Sequence, residues 1–156
     1  FTVYGPWGRP DMAPFKFARA IVEREPIKVY NYGNHSRDFT YIDDIVEGVL
    51  RVLKKPPSGD PKWRANAPDP GSSQAPWRVY NIGNSAPVRL MDFISELERA
   101  FGISAEKEFL PMQPGDVADT YADVEDLKRD FDYQPNTTIR EGVEKFVEWY
   151  RNYYKI

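Results

Sequence analysis

Apolar and polar positions alternate along the chain with two different periods, and this pattern predicts a succession of helices and short strands. Apolar residues at helical spacing, bounded by helix start and stop signals, predict the helices. These segments are Asp11–Glu25, Ile45–Lys55, Leu90–Phe101, Asp123–Phe131 and Ile139–Tyr150. Gly102 and Pro26 stand where two of the helices should stop, and Pro14 falls in a first turn, where proline is tolerated.

Short runs rich in β-branched and aromatic residues predict the strands. They are Phe1–Tyr4, Ile27–Tyr32, Arg37–Ile42, Val79–Gly83 and Glu108–Leu110. The second and third runs flank a Gly-Asn turn, so they form either a hairpin or two separate strands. The first run leads into a tight Gly-Pro turn, and open α/β sheets bind ligands beyond the carboxyl ends of such strands. The pattern therefore predicts an α/β fold with loops available for binding.

Two capping boxes and one long loop complete the predicted organisation. Thr40 with Asp43, and Thr138 with Glu141, have the spacing of helix N-terminal capping boxes. Residues 56–78 hold six prolines and almost no periodicity, which indicates either a functional covering loop or a mobile insertion. We expect one domain over residues 1–156, with residues 56–78 as a proline-rich insertion within it.

Composition removes several classes of function. The 156 residues are 41% hydrophobic and 29% charged, which is typical of a globular domain. The chain has no cysteine and a single histidine, His35, so disulfides, thiolate chemistry, histidine metal sites and a Ser-His-Asp triad are not expected. The net charge of −3 without a basic run argues against nucleic acid. With no membrane span or secretion signal in the sequence, a cytoplasmic location is the default expectation.

Catalytic constellations are absent, and the residues that remain are binding groups on loops. Gly5 and Gly8 have no third glycine to form a phosphate loop, and no tyrosine stands four residues before a lysine. We therefore assign no catalytic residue and no metal ligand. Arg9 could bind a carboxylate or phosphate, although Asp11 is an equally good partner.

Three further loop groups have both a binding role and a plain structural one. Tyr32 could stack on a base, although an isolated tyrosine is more often part of a core. Arg37 could bind a phosphate, with Asp38 or Asp43 as its ordinary alternatives. Asp43 and Asp44 fit a helix cap better than an acid/base pair. The turn that ends in Asp116 could offer backbone N–H groups and a carboxylate to a ribose hydroxyl.

Five segments, in this order and spacing, resemble the C-terminal part of the extended short-chain dehydrogenase/reductase family of nucleotide-sugar epimerases and dehydratases. They are Thr2–Pro6, Arg37–Asp44, Asn81–Gly83, Pro114–Asp116 and Glu141–Tyr150. Within that family, the Trp7–Ala13 segment and the Gln113–Val117 turn are most similar to UDP-glucuronate 4-epimerases. The resemblance covers essentially the whole chain and implies that an N-terminal Rossmann domain is missing from it.

The resemblance implies a function as well as a fold. The resemblance implies that NAD is held in the Rossmann domain and a UDP-sugar in the smaller domain. The UDP-glucuronate 4-epimerases of the family interconvert UDP-glucuronate and UDP-galacturonate through a 4-keto intermediate. A tyrosine and a lysine of the first domain carry the chemistry, so this chain alone is expected to be inactive. The alternatives are another epimerase, dehydratase or decarboxylase of the same family, or a non-catalytic fragment that binds a nucleotide or a protein.

The resemblance also implies roles for individual residues. Substrate contacts fall on Thr2 and Arg9 at the sugar, Val29, Tyr30 and Tyr32 at the uracil, Arg37 and Gln113 at the diphosphate, and Asp116 at the ribose. Gln113 departs from galactose-type epimerases, which have an arginine there. Contacts with NAD fall on Val3, Tyr4 and Pro6. The expected partners are a UDP-sugar, the missing Rossmann domain and a second copy that pairs with the exposed first strand.

Overall fold

Six short strands and five helices form a mixed α/β arrangement. The sequence predicts this fold class, but it does not predict the strand at Val88–Arg89. The computed structural model describes residues 1–156. The strands are β1 (Thr2–Tyr4), β2 (Ile27–Val29), β3 (Ser36–Arg37), β4 (Phe39–Tyr41), β5 (Val88–Arg89) and β6 (Lys107–Phe109). The helices are α1 (Ala13–Glu23), α2 (Ile42–Lys54), α3 (Leu90–Phe101), α4 (Glu125–Phe131) and α5 (Ile139–Tyr154). The longest helix, α5, has 16 residues, and no helix could span a membrane.

The strands pair over long distances in the sequence. β1 pairs with β4 and β2 pairs with β6, both in parallel, whereas β3 and β5 are antiparallel. The runs at Ile27–Tyr32 and Arg37–Ile42 are therefore separate strands, and the hairpin alternative is wrong. Parallel pairing needs a crossover connection, and α1 supplies part of the one between β1 and β4.

One predicted strand is shorter than the sequence suggests, and another is absent. The run that begins at Ile27 ends at Val29, because Asn31 and Tyr32 adopt φ angles of 50° and 51° and form a 3₁₀ turn over Tyr30–Gly33. The predicted strand Val79–Gly83 is wrong, since these residues pair with no neighbouring strand. Side-chain bonds hold that segment instead: the Tyr80 hydroxyl donates to Asp130 at 2.8 Å.

One predicted capping box is confirmed and the other is wrong. The Thr138 hydroxyl accepts the Glu141 backbone N–H at 3.2 Å and caps α5. Thr40, in contrast, is buried in β4, and α2 begins after Tyr41 without a side-chain cap. Thr40 is therefore part of a paired strand, although its local spacing predicts a helix cap.

Aromatic rings fill the core between the helices and the β1–β4 pair. Phe39 and Phe93 stack with their ring centroids 4.2 Å apart, and Tyr4 meets both rings edge to face. The Tyr4 hydroxyl lies against Gly142 of α5, where any larger residue would collide with it. Burial raises the pKa of Tyr4 well above its ordinary value, and it raises the pKa of Tyr133 to about 12. Both phenols are therefore neutral at physiological pH and act as packing groups.

The proline-rich segment 56–78 carries local hydrogen bonds and is fastened at its end. The Asp69 carboxylate accepts the Gly71 N–H and the Ser72 hydroxyl, and these bonds lower the pKa of Asp69. Arg78 pairs with Asp126 at 3.1 Å and with Asp130 at 3.6 Å, which ties the end of the segment to α4.

The carboxylate of Asp38 joins three distant parts of the chain. It is completely buried and accepts backbone N–H groups from Asn84, Ser85 and Ala122 at 2.9–3.0 Å. Gly83 packs closely against Ala122, and a Cβ added at Gly83 would collide with the side chain of Ala122. A buried carboxylate is tolerated only when hydrogen bonds replace its lost hydration, and here three donors do so.

We predict that Asp38→Ala lowers the free energy of unfolding by about 4 kcal/mol, because three backbone donors lose a charged acceptor in a buried site. Urea unfolding followed by circular dichroism measures this change. Asp43→Ala is the matched control, since Asp43 is exposed in the same sequence motif. Its expected cost is below about 1 kcal/mol. Equal losses in the two variants would contradict the structural role of Asp38.

Candidate functional site

A cavity of about 580 Å³ lies between α1, β2, β3 and the turn at residues 113–116. Its walls combine apolar side chains with cations from several elements. The lining residues are Thr2, Met12, Ala13, Lys16, Phe17, Ala20, Glu25, Pro26, Ile27, Lys28, Tyr30, His35, Arg37, Phe39, Leu90, Gln113 and Asp116. A mainly apolar cleft with a few convergent polar groups is the usual form of a small-molecule site.

The cavity brings together several residues that the sequence places in a substrate site. Thr2, Tyr30, Arg37, Gln113 and Asp116 all line it, although they are spread over more than a hundred positions of the sequence. Thr2 comes from β1, Arg37 from β3, and Asp116 from the loop after β6. Their convergence depends on the long-range strand pairs.

Three other candidate substrate residues lie outside the cavity lining. Arg9 is exposed and bonds the carboxylate of Asp11, with 2.5 Å between Nη2 and Oδ2. Val29 is fully buried in β2, and its carbonyl oxygen accepts the Leu110 backbone N–H at 2.9 Å, so no part of it is exposed to a ligand. Tyr32 is 59% exposed and is therefore a surface ring rather than a core residue.

The candidate NAD contacts lie on β1 and in the turn that follows it. The Val3 side chain is exposed, and Pro6 is partly exposed in the turn. The whole of Tyr4 is only 2% exposed, and its side chain is buried in the aromatic core. Val3 and Pro6 therefore fit an apolar contact with a cofactor, whereas the Tyr4 hydroxyl does not.

Arg37 holds the 113–118 loop against β3. Its guanidinium donates to the Asp116 carboxylate at 2.9 Å and to the carbonyl oxygens of Val117 and Ala118 at 2.6 Å and 2.7 Å. The alternative partners Asp38 and Asp43 are not used. Because the planar fork of arginine is matched to several acceptors at once, Arg37 fixes the position of Asp116 in the cavity wall.

His35 stands beside this pair and was not selected as a site residue from the sequence. Its side chain is only 4% exposed, and Nε2 lies 3.4 Å from Oδ2 of Asp116. Nδ1 faces the carbonyl oxygen of Ala118 at 3.3 Å. As a single histidine in a polar turn, it carries no periodic or motif signal that would mark it as a cavity residue.

Lys16 and Lys28 are the other site residues that sequence reasoning missed. Both line the cavity and neither takes part in an ion pair of the structure. Lys16 lies one turn after Met12 on α1, and that helical spacing was the only signal in the sequence. Glu25 is the one carboxylate of the lining besides Asp116, so the free lysines leave the cavity with an excess of positive charge.

The cavity lining combines cationic and apolar groups that suit the binding of a ligand. The cavity contains no nucleophile paired with a base, and no group of side chains in the structure is placed to hold a metal ion. Two free ammonium groups and a guanidinium suit an anion such as a phosphate, and the apolar walls suit a ring.

Comparison with known proteins identifies the family. The profile of the "NAD dependent epimerase/dehydratase family" matches residues 1–83, which is more than half of the chain. Protein CapI of Staphylococcus aureus is 60% identical over 99% of this chain and 46% of its own length. A probable UDP-glucuronate 4-epimerase of Rhizobium meliloti is 48% identical, again over 99% of this chain and 46% of the relative.

A solved structure shows the same architecture. The UDP-glucuronic acid 4-epimerase of Bacillus cereus, in complex with UDP-glucuronic acid and NAD, superposes with a TM-score of 0.80 at 31% identity. The match covers 99% of this chain and 44% of that protein. The chain thus spans about half the length of the relatives it matches and corresponds to their C-terminal part. It has the fold of the extended short-chain dehydrogenase/reductase epimerases and belongs to the NAD dependent epimerase/dehydratase family.

Proposed function

We propose that this chain is the UDP-sugar-binding part of an NAD-dependent UDP-glucuronate 4-epimerase. The observation that carries the proposal is the single cavity in which Thr2, Tyr30, Arg37, Gln113 and Asp116 meet. The resemblance to nucleotide-sugar epimerases implies a substrate contact for each of these residues. Two similar proteins support the choice of sugar. The Rhizobium meliloti relative is named a probable UDP-glucuronate 4-epimerase, and the Bacillus cereus structure is that of a UDP-glucuronic acid 4-epimerase.

In this proposal, different cavity residues bind different parts of the nucleotide sugar. Lys16 and Lys28 line the cavity and form no ion pair, so they are free to join Arg37 in neutralising the diphosphate. The uracil lies near Tyr30, and Tyr32 adds an exposed ring beside it. Arg9 approaches the sugar carboxylate by exchanging its exposed bond with Asp11 for one with the ligand. The exchange is inexpensive because exposed ion pairs contribute little net stability.

NAD would supply the oxidising and reducing equivalents of the epimerisation when bound. Val3 and Pro6 of this chain would contact it through apolar surface, while most of its site lies in the N-terminal part of such proteins. Thr2 lies in the same strand and lines the cavity, so β1 would hold the sugar beside the cofactor. The residues of this chain thus bind and orient the substrate, and they move no proton.

The exposed face of α2 supports the further proposal that an NAD-binding part packs against this chain. Val46, Val49, Leu50 and Leu53 are 43–72% exposed on α2, although each is a core-forming residue type. β1 also pairs with a strand on one side only. An apolar helix face beside an open strand edge is the surface that a longer parallel sheet and its helices would cover.

Lys28→Ala is expected to weaken the binding of UDP about tenfold, since one charge-assisted bond to phosphate is lost. Isothermal titration calorimetry measures the effect. Lys62→Ala is the matched control, because Lys62 is an exposed lysine of the 56–78 segment that lines no part of the cavity. Absence of UDP binding to the unmodified chain at millimolar concentration would contradict the proposed site.

Arg9→Ala tests the role of the carboxylate separately. We expect the variant to lose about tenfold in affinity for UDP-glucuronate and to keep its affinity for UDP-glucose, since only the uronate offers a carboxylate. Arg19→Ala is the control, because Arg19 forms a similar exposed pair with Glu23. Equal losses for the two sugars would show that Arg9 does not contact the carboxylate.

A further inference from the structure

Trp7 combines an exposed side chain with a backbone conformation that large residues rarely adopt. Its φ is 61°, in the left-handed region that favours glycine, and the residue is 73% exposed. Backbone strain of this kind is found most often at ligand-binding and active-site loops. Because an exposed ring gains little from burial, the stability of the core does not account for this conformation.

The Trp7 ring packs on two aromatic side chains of α5. Its centroid lies 5.4 Å from that of Trp149 and 5.2 Å from that of Tyr153. These two residues are one helical turn apart, and their rings stack with centroids 5.1 Å apart. Trp149 also meets Phe15 of α1 edge to face at 5.9 Å. The exposed ring of Trp7 is therefore connected through α5 to the aromatic core.

The loop that carries Trp7 continues into Arg9 and then into the cavity wall. Gly8 lies against Phe15, and a Cβ added at Gly8 would be 2.6 Å from the Phe15 ring. The carbonyl oxygen of Arg9 accepts the Met12 backbone N–H at 3.2 Å, and Met12 lines the cavity. The backbone of Arg9 is therefore held on both sides, by the packing of the two residues before it and by the turn after it.

The Arg9 side chain, in contrast, is held only by an exposed ion pair. Its guanidinium bonds Asp11, and the two side chains are 73% and 60% exposed. Such a pair contributes little net stability, and a long arginine side chain has many rotamers. A two-point contact with a carboxylate requires the guanidinium to arrive in the correct orientation. The position of the backbone therefore limits where Arg9 can bind a ligand.

We propose that Trp7 is a positioning residue for the carboxylate end of the substrate, because its ring fixes on α5 the loop from which Arg9 reaches the ligand. The inference rests on the proposed function, since it takes Arg9 as the contact of the uronate carboxylate. Fixing the loop before binding reduces the conformational entropy that binding must otherwise remove. Trp7 acts through Arg9 alone, so its ring favours a uronate and has no effect on a neutral sugar.

The test measures, by isothermal titration calorimetry, the ratio of the affinities for UDP-glucuronate and UDP-glucose. The unmodified chain is expected to prefer the uronate about tenfold, the effect of one charge-assisted contact. In Trp7→Asn we expect this preference to fall to about twofold, with the affinity for UDP-glucose unchanged. Asparagine tolerates a positive φ, so the variant removes the ring and keeps the backbone conformation accessible.

Two further variants and a matched control separate positioning from a general effect on folding. Adding Trp7→Asn to Arg9→Ala is expected to change the ratio no further, because the contact through which Trp7 acts is already lost. Trp7→Phe, which keeps an aromatic ring on α5, is expected to retain most of the preference. Trp77→Ala is the control, since Trp77 is a 47% exposed tryptophan of the 56–78 segment, and it should keep the full preference.

The outcomes separate this inference from the proposed function. If the unmodified chain binds neither sugar nucleotide, the proposed function is wrong and this inference fails with it. If it binds both without preferring the uronate, the role of Arg9 is wrong and the inference fails again. A preference that is lost in Arg9→Ala but retained in Trp7→Asn would overturn the inference alone. Equal losses for both sugars in Trp7→Asn would show a purely structural tryptophan and would also overturn it.

Discussion

The architecture of the cavity depends on the buried carboxylate of Asp38. Three backbone N–H groups converge on it from two later loops, at residues 84–85 and 122, and no water is needed to satisfy it. Its own backbone N–H donates to the Thr120 hydroxyl at 3.1 Å. A buried carboxylate without these donors would be strongly unfavourable. The positions of the two loops and of the β3–β4 segment therefore depend on one another.

The site follows directly from this constraint. Because Asp38 fixes the loop around Thr120, the adjoining 116–118 segment is brought against β3. There a single carbonyl oxygen, that of Ala118, accepts from the Ser36 backbone, the Arg37 guanidinium and the His35 ring. The Asp44 carboxylate acts similarly at the other end of β4, where it accepts the backbone N–H of Thr137 ahead of α5. Asp38 and Asp44 thus organise the fold through hydrogen bonds from distant backbone N–H groups.

Sequence periodicity was sufficient for the helices because their apolar faces follow directly from local spacing. α3 has the predicted bounds, and Gly102 ends it with a φ of 65°. α5 begins at the predicted Ile139 but continues four residues beyond the predicted end, to Tyr154. Strands and caps were less predictable, since Thr40 and residues 79–83 take their conformations from partners far along the chain. The same reason explains the site: Lys16 and Lys28 become cavity residues only once α1 and β2 lie side by side, whereas Arg37 and Asp116 were found through the family motifs.

The most direct test of the account is a titration of the chain with UDP, followed by the backbone amide chemical shifts in NMR spectra. If this cavity binds the nucleotide, the shift changes concentrate in three segments that are distant in sequence and adjacent in the fold: residues 12–20, 27–37 and 113–118. Asn84 and Ser85, held by Asp38 behind the cavity, should shift little. Changes confined to the α3–α5 face, or spread without relation to the cavity, would contradict the central claim that this cavity is the nucleotide site.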